Sequence, residues 1–140
     1  MELTVYSSVF VSSLHEADPS FRESRQALEL IGARGDHITI PSLVVMEVAS
    51  ALAHTHASPT RKEWDDLFHT FTVIPLDDKF ASYFAEFVRA NLTSLKTSDE
   101  IIVFAAQHAR TTLVTLDRQM LAHGSKFVRA LTPQQYLALP

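Results

Sequence analysis

The stretch from Ser98 to Asp117 constrains the fold of this chain more than any other. Its sequence is Ser98-Asp99-Glu100-Ile101-Ile102-Val103-Phe104-Ala105-Ala106-Gln107-His108-Ala109-Arg110-Thr111-Thr112-Leu113-Val114-Thr115-Leu116-Asp117, which predicts a helix, a tight turn and a strand. Thr97 and Glu100 have the spacing of a capping box, which starts the helix near Ser98. Ile101 to Ala106 is apolar on every side, as in a helix with little exposed surface. Thr112-Leu113-Val114-Thr115 is short and β-branched, which suits a buried parallel strand. A strand lying back along its helix brings helix start and strand end to the same edge of a sheet. Asp99, in the first helical turn, and Asp117, just past the strand, then meet at that edge. Ligand sites of open α/β sheets lie at the carboxyl ends of strands.

The rest of the chain repeats the alternation. Leu3 to Tyr6 reads as a strand, Ser7 and Ser8 follow it, and Val9-Phe10-Val11 is apolar enough to continue inward as a short helix. Asp18-Pro19 opens the next helix, with Asp18 at the N-cap and Pro19 in the first helical position; Gly32 and Gly35 end it. Asp36 to Ile40 is the second strand. Pro41-Ser42 starts a helix through Ala53 in which Glu47 is the only charge. An isolated ionised carboxylate in apolar surroundings costs several kcal/mol or changes its protonation state. Glu47 therefore pairs with an arginine, lies on the one exposed stripe, or serves a function. Pro59 to Thr70 is a further helix with Trp64, Leu67 and Phe68 on its buried side, and Phe71 to Leu76 a third strand. Asp77-Asp78 caps the helix of Phe80, Tyr83, Phe84, Phe87 and Val88. After Asp117 come a short helix from Arg118 to His123 stopped by Gly124, an edge strand at Phe127-Val128 and a terminal helical turn from Pro133 to Leu139. Strands alternating with helices indicate one α/β domain over residues 1–140, with a parallel sheet of about five strands flanked by helices on both faces.

Composition removes most chemistries. With 140 residues, 46% hydrophobic and 20% charged, the chain is of soluble globular type and long enough to bury a full core. A net charge of −4 leaves no strongly basic face. There are no cysteines, hence no disulfides, zinc–thiolate sites or thiol nucleophiles, and a reducing cytoplasm is the expected setting. No apolar run approaches a membrane span. Three glycines make no phosphate-cradling loop, and no serine lies in a nucleophile elbow. The seven histidines form no ligand pattern; His54 and His56 read as solvated surface at a helix end. What remains is an oxygen-only carboxylate cluster, which selects a hard cation, Mg²⁺ or Mn²⁺. The residues just past the strands are Tyr6 to Ser8, Glu47, Asp99 and Asp117.

Four segments carry a resemblance. Val5-Tyr6-Ser7-Ser8-Val9-Phe10-Val11, Pro41-Ser42-Leu43-Val44-Val45-Met46-Glu47-Val48, Ser98-Asp99-Glu100-Ile101-Ile102 and Leu113-Val114-Thr115-Leu116-Asp117-Arg118 resemble the four motifs of the PIN domain. In size and layout the chain resembles the stand-alone VapC-type toxins of toxin–antitoxin pairs. The resemblance implies a single PIN-like domain and a Mg²⁺- or Mn²⁺-dependent endoribonuclease that hydrolyses RNA phosphodiesters. It implies that Glu47, Asp99 and Asp117 are the catalytic carboxylates and metal ligands, and that Ser8 occupies a supporting hydroxyl position. It also implies an antitoxin partner and a homodimer.

One position departs from the family. Where it has an aspartate at the end of the first strand, this chain has Tyr6. A phenol with an unperturbed pKa of ~10 is neutral at pH 7 and a poor ligand for Mg²⁺. Two readings follow: an endoribonuclease working with three carboxylates, or a catalytically weakened PIN-like domain that binds RNA or a protein partner. Arg118, Lys96 and Arg110 are the nearest cations in sequence. Arg118 is the candidate for guiding an RNA backbone, whereas Lys96 and Arg110 read as ordinary surface charges.

Overall fold

The fold was analysed in a computed structural model, which describes residues 1–54 and 60–140. Pro59 and His56, read above as a helix start and as solvated surface, lie outside the described residues. The chain opens with strand β1 (Glu2–Val5) and helices α1 (Ser7–Leu14) and α2 (Phe21–Arg34). Strand β2 (His37–Pro41), helices α3 (Ser42–His54) and α4 (Arg61–Phe68) and strand β3 (Thr72–Ile74) follow. Helices α5 (Asp78–Ala90) and α6 (Thr97–Ala109) lead to β4 (Thr112–Val114), α7 (Arg118–His123), β5 (Ala130–Leu131) and α8 (Pro133–Leu137).

The strands form one five-stranded sheet in the order β3-β2-β1-β4-β5, with every neighbouring pair parallel. The chain runs outward from β1 through β2 to β3, then returns across the sheet to β4 and β5. The point of reversal falls between β1 and β4, and in such sheets the crevice at the carboxyl ends there is where ligands bind. Right-handed crossovers, the rule for parallel sheets, assign α1 to α4 to one face and α5 to α7 to the other.

The core forms where the sheet meets these helices. Leu3, Val5, Ile40, Leu113 and Val114 from the strands and Val9, Val44, Val48, Ile102 and Val103 from the helices are all without solvent exposure. Each such side chain contributes ~1.5–3 kcal/mol on full burial. A second apolar cluster joins Phe80 and Phe87 of α5 to Phe104 and Ala105 of α6.

The cap at Asp77 holds, because its side chain accepts from the Phe80 amide at 2.9 Å. Other local expectations are corrected. Asp18 is not a helix cap. Its carboxylate accepts from Ser20 N at 2.8 Å and from Ser12 Oγ at 2.9 Å, which builds a turn ahead of α2. Thr97 and Glu100 form no capping box: the N-cap of α6 is Lys96, with no side-chain cap, and Glu100 accepts instead from the Thr93 hydroxyl. A loop hydroxyl within reach has taken the carboxylate that the box required. Gly32 lies inside α2, and only Gly35, in the left-handed region at φ 66°, ends it. Phe127 and Val128 are not a strand. Their amides close on Gly124 O in a 3₁₀ turn, the Phe127 ring packs edge-on to Phe87 at 5.3 Å, and pairing is delayed to Ala130–Leu131. A capping box does form between Thr132 and Gln135, at the start of α8.

Candidate active site

Four elements deliver side chains to the carboxyl edge of the sheet. Tyr6 follows β1 and is the N-cap residue of α1, with extended backbone at φ −80° and ψ 154°. Its amide donates to Val114 O at 3.0 Å and its carbonyl accepts from Val9 N at 3.0 Å, so the backbone is tied to β4 on one side and α1 on the other. Glu47 sits in the second turn of α3, Asp99 in the first turn of α6, and Asp117 at the N-cap of α7.

Asp99 is the hub. It is buried, and its Oδ1 accepts from the Tyr6 hydroxyl at 3.3 Å. Burial, then the charge of Asp117, raises its pKa above the usual carboxylate value; the Tyr6 hydrogen bond and Lys96 pull it back. Lys96, read above as an ordinary surface charge, is thus exposed yet close enough to act on Asp99. Glu47 is half-buried and makes no ion pair among the described residues, so the arginine reading fails. Its Oε2 is shielded from solvent and has no hydrogen-bond partner. Burial is the main cause that raises its pKa, with the Asp99 charge adding to it, while the Ser7 and Tyr6 hydroxyls favour the charged form. Tyr6 is pushed above its ordinary value by burial first and then by the charges of Glu47 and Asp99. The phenol is therefore a neutral donor at every physiological pH.

Asp117 already has a structural task. Its Oδ1 accepts from Met120 N at 2.9 Å and caps α7, while its amide donates to Thr115 Oγ1 at 3.0 Å. Ser8, on α1, accepts from Leu116 N at 3.2 Å and so fixes the turn that presents Asp117. Arg118 is the exposed first residue of α7. Thr115 escaped the sequence reading as a site residue, and Ser7 stood in it only within the stretch Tyr6 to Ser8. Ser7 is buried beside Glu47, and Thr115 is fully buried under Asp117. The signal available for both was adjacency, since Ser7 follows Tyr6 and Thr115 lies two residues before Asp117.

The donor set is all oxygen, carries a formal charge of up to −3 and includes a buried oxygen without a partner, which fits a hard cation in chemistry. In position the fit is looser. Among the described residues no three Asp, Glu or His side chains are gathered closely enough to hold an ion as they stand. The Tyr6 hydroxyl is held by Asp99, and the Asp117 carboxylate is drawn to its own helix.

A parallel sheet in this order, with acidic residues beside its switch point, defines an α/β domain with a candidate ligand site at its carboxyl edge. The chain belongs to the PIN domain family, whose profile matches residues 5–125. Among solved structures it resembles a toxin–antitoxin complex from Klebsiella pneumoniae, at 21% identity and a TM-score of 0.69, covering 94% of this chain and 97% of that one. It also resembles VapC20 of Mycobacterium tuberculosis, a toxin that cleaves the sarcin–ricin loop, at 13% identity and a TM-score of 0.67, covering 90% of this chain and 96% of the other. A third is VapBC2 of Rickettsia felis bound to a promoter DNA fragment, at 18% identity and a TM-score of 0.65, covering 94% and 98%. At these identities the likeness is one of fold. Against curated protein sequences, nothing matches. Among the described residues no helix is long and apolar enough to cross a membrane.

Proposed function

We propose that this chain is a divalent-metal-dependent endoribonuclease, the toxin of a toxin–antitoxin pair, acting as a single domain over residues 1–140. The observation that carries the reading is Asp99, buried at the sheet edge and coupled electrically to both Asp117 and Glu47. The charge of Asp117 raises the proton affinity of Asp99 and that of Asp99 raises the proton affinity of Glu47, and repulsion of this kind is relieved by a shared cation. The similarity to VapC20 and to toxin–antitoxin complexes supports the assignment to RNA and to an antitoxin partner. A homodimer in the cytoplasm is the corresponding expectation.

Glu47, Asp99 and Asp117 would hold Mg²⁺ or Mn²⁺. Bound there, the ion would supply polarisation of the scissile phosphate and a more acidic water. The chain's own residues do the rest. Asp99 and Glu47 hold negative charge in a partly desolvated edge, where charge–charge interactions are stronger than in water. Ser8 and Thr115 hold the turn that orients Asp117. Arg118, exposed beside Asp117, is placed to pair with an RNA phosphate, as arginine does through two parallel hydrogen bonds.

The test is cleavage of mixed RNA with Mn²⁺ or with EDTA, using Asp117→Asn as the blank. Cleavage that needs Mn²⁺ and Asp117 is expected. A second reading, a PIN-like domain that binds RNA or a protein without cutting, is favoured by Tyr6 alone. It gains if RNA is retained but uncut at millimolar Mn²⁺.

A further inference from the structure

Tyr6 is held more firmly than a bystander at the rim of a site needs to be. Its backbone is hydrogen-bonded to β4 on one side and α1 on the other, and its ring packs against the main core cluster. The side chain has little freedom beyond the direction of its O–H. That one donor reaches Asp99 Oδ1 at 3.3 Å, with the Glu47 carboxylate close enough to act on the phenol by its charge. A neutral donor between two carboxylates relieves their repulsion without any ion. It also takes one lone pair of Asp99 that a cation would otherwise use.

Given that Glu47, Asp99 and Asp117 take the cation, we propose that the Tyr6 hydroxyl is a latch on this site. It takes one lone pair of Asp99 Oδ1 and competes there with a divalent ion for the charge of the carboxylate. Tyr6 is a positioning residue that sets how readily the site loads.

Mn²⁺ binding, followed by the electron paramagnetic resonance signal of the free ion, tests this without any cleavage assay. The proteins are the metal-free parent, Tyr6→Phe and Asp117→Asn. Phenylalanine keeps the ring and removes only the donor. A hydrogen bond to a charged group is worth enough that Tyr6→Phe should bind Mn²⁺ about tenfold more tightly. Equal affinity would make Tyr6 a spectator, and weaker affinity would make its oxygen a ligand; either result overturns the latch. If in those cases the parent binds and Asp117→Asn does not, the carboxylate reading survives alone. If neither parent nor Tyr6→Phe binds at millimolar Mn²⁺, both fall. A second measurement needs no variant. On titration of the parent with Mg²⁺, the Tyr6 ring resonances should move while those of Tyr136, bound to Asp36 before β2, stay still. An unmoved Tyr6 at saturating Mg²⁺ also overturns the latch.

Discussion

Asp99 shows how one buried carboxylate ties stability to the proposed chemistry. Its folded pKa is raised, by burial first and by Asp117 second. Between the unfolded value and that raised value, the folded state binds more protons than the unfolded one. Stability therefore falls as pH rises through this window, and the full cost is present above the folded pKa. Asp99→Asn removes the charge but keeps an oxygen for the Tyr6 hydroxyl. The metal-free variant should melt a few degrees higher than the parent at neutral pH, with the difference shrinking as pH is lowered into the acid range. Ribonuclease activity should be lost. A melting temperature at or below the parent's at pH 7 would show that Asp99 is not under repulsion. Glu47 illustrates the limit of a sequence reading at this scale. A lone charge in an apolar helix is conspicuous in the sequence, but a missing arginine partner and a solvent-shielded Oε2 are facts of packing.

At the scale of elements, single residues turn out to serve two purposes. Asp117 caps α7 through Met120 N, so its removal combines a structural loss with a functional one. The two separate in paired variants. Asn caps a helix about as well as Asp, so Asp117→Asn should keep the melting temperature near the parent's while abolishing cleavage. Asp117→Ala should lose cleavage and ~1 kcal/mol of stability as well, measured by urea denaturation. Gly124 gives a second case. The sequence suggests a helix stop, and α7 does end there, but the backbone at φ −70° and ψ −28° is open to any residue. What requires glycine is space, because an added Cβ would lie 2.8 Å from Val103 Cγ2, on α6. Gly124→Ala should cost ~1–3 kcal/mol by overpacking, and paired Gly124→Ala and Val103→Ala changes should recover part of it. Additive losses in that pair would mean the two residues do not meet.

For the whole molecule, one polar cluster ties distant parts of the chain together at the edge opposite the candidate site. Tyr136 of α8 is fully buried and donates to Asp36 Oδ2 at 2.6 Å, while the Met1 ammonium pairs with Asp36 Oδ1. Arg34 lies over the Tyr136 ring at 5.7 Å and donates to Leu139 O at 3.0 Å. Burial alone would raise the Asp36 pKa, but the hydrogen bonds from Met1 and Tyr136 outweigh it and the net shift is downward. Its contribution to stability is then present above the unfolded pKa and lost as pH falls through the folded one. Tyr136→Phe should cost ~1.5–3 kcal/mol at neutral pH, and the gap to the parent should narrow below about pH 4, where Asp36 is protonated in the unfolded chain. An equal gap at pH 3 and pH 7 would remove Asp36 from the account.

The sequence by itself determined the alternation of strands and helices, and with it a parallel sheet, because period and β-branching depend only on nearest neighbours along the chain. It also placed Asp99 and Asp117 at one edge, since a helix and the strand that returns beside it can be aligned from sequence alone. Tertiary structure alone decided which polar groups meet. Thr93 takes Glu100 from a capping box, Ser12 and Ser20 take Asp18 from a helix start, and the Tyr6 hydroxyl takes an oxygen of Asp99. Each competitor lies close in space but is not the partner that sequence spacing indicates. A hydrogen bond is made by whichever donor arrives at about 3 Å, and folding, not sequence spacing, sets that distance.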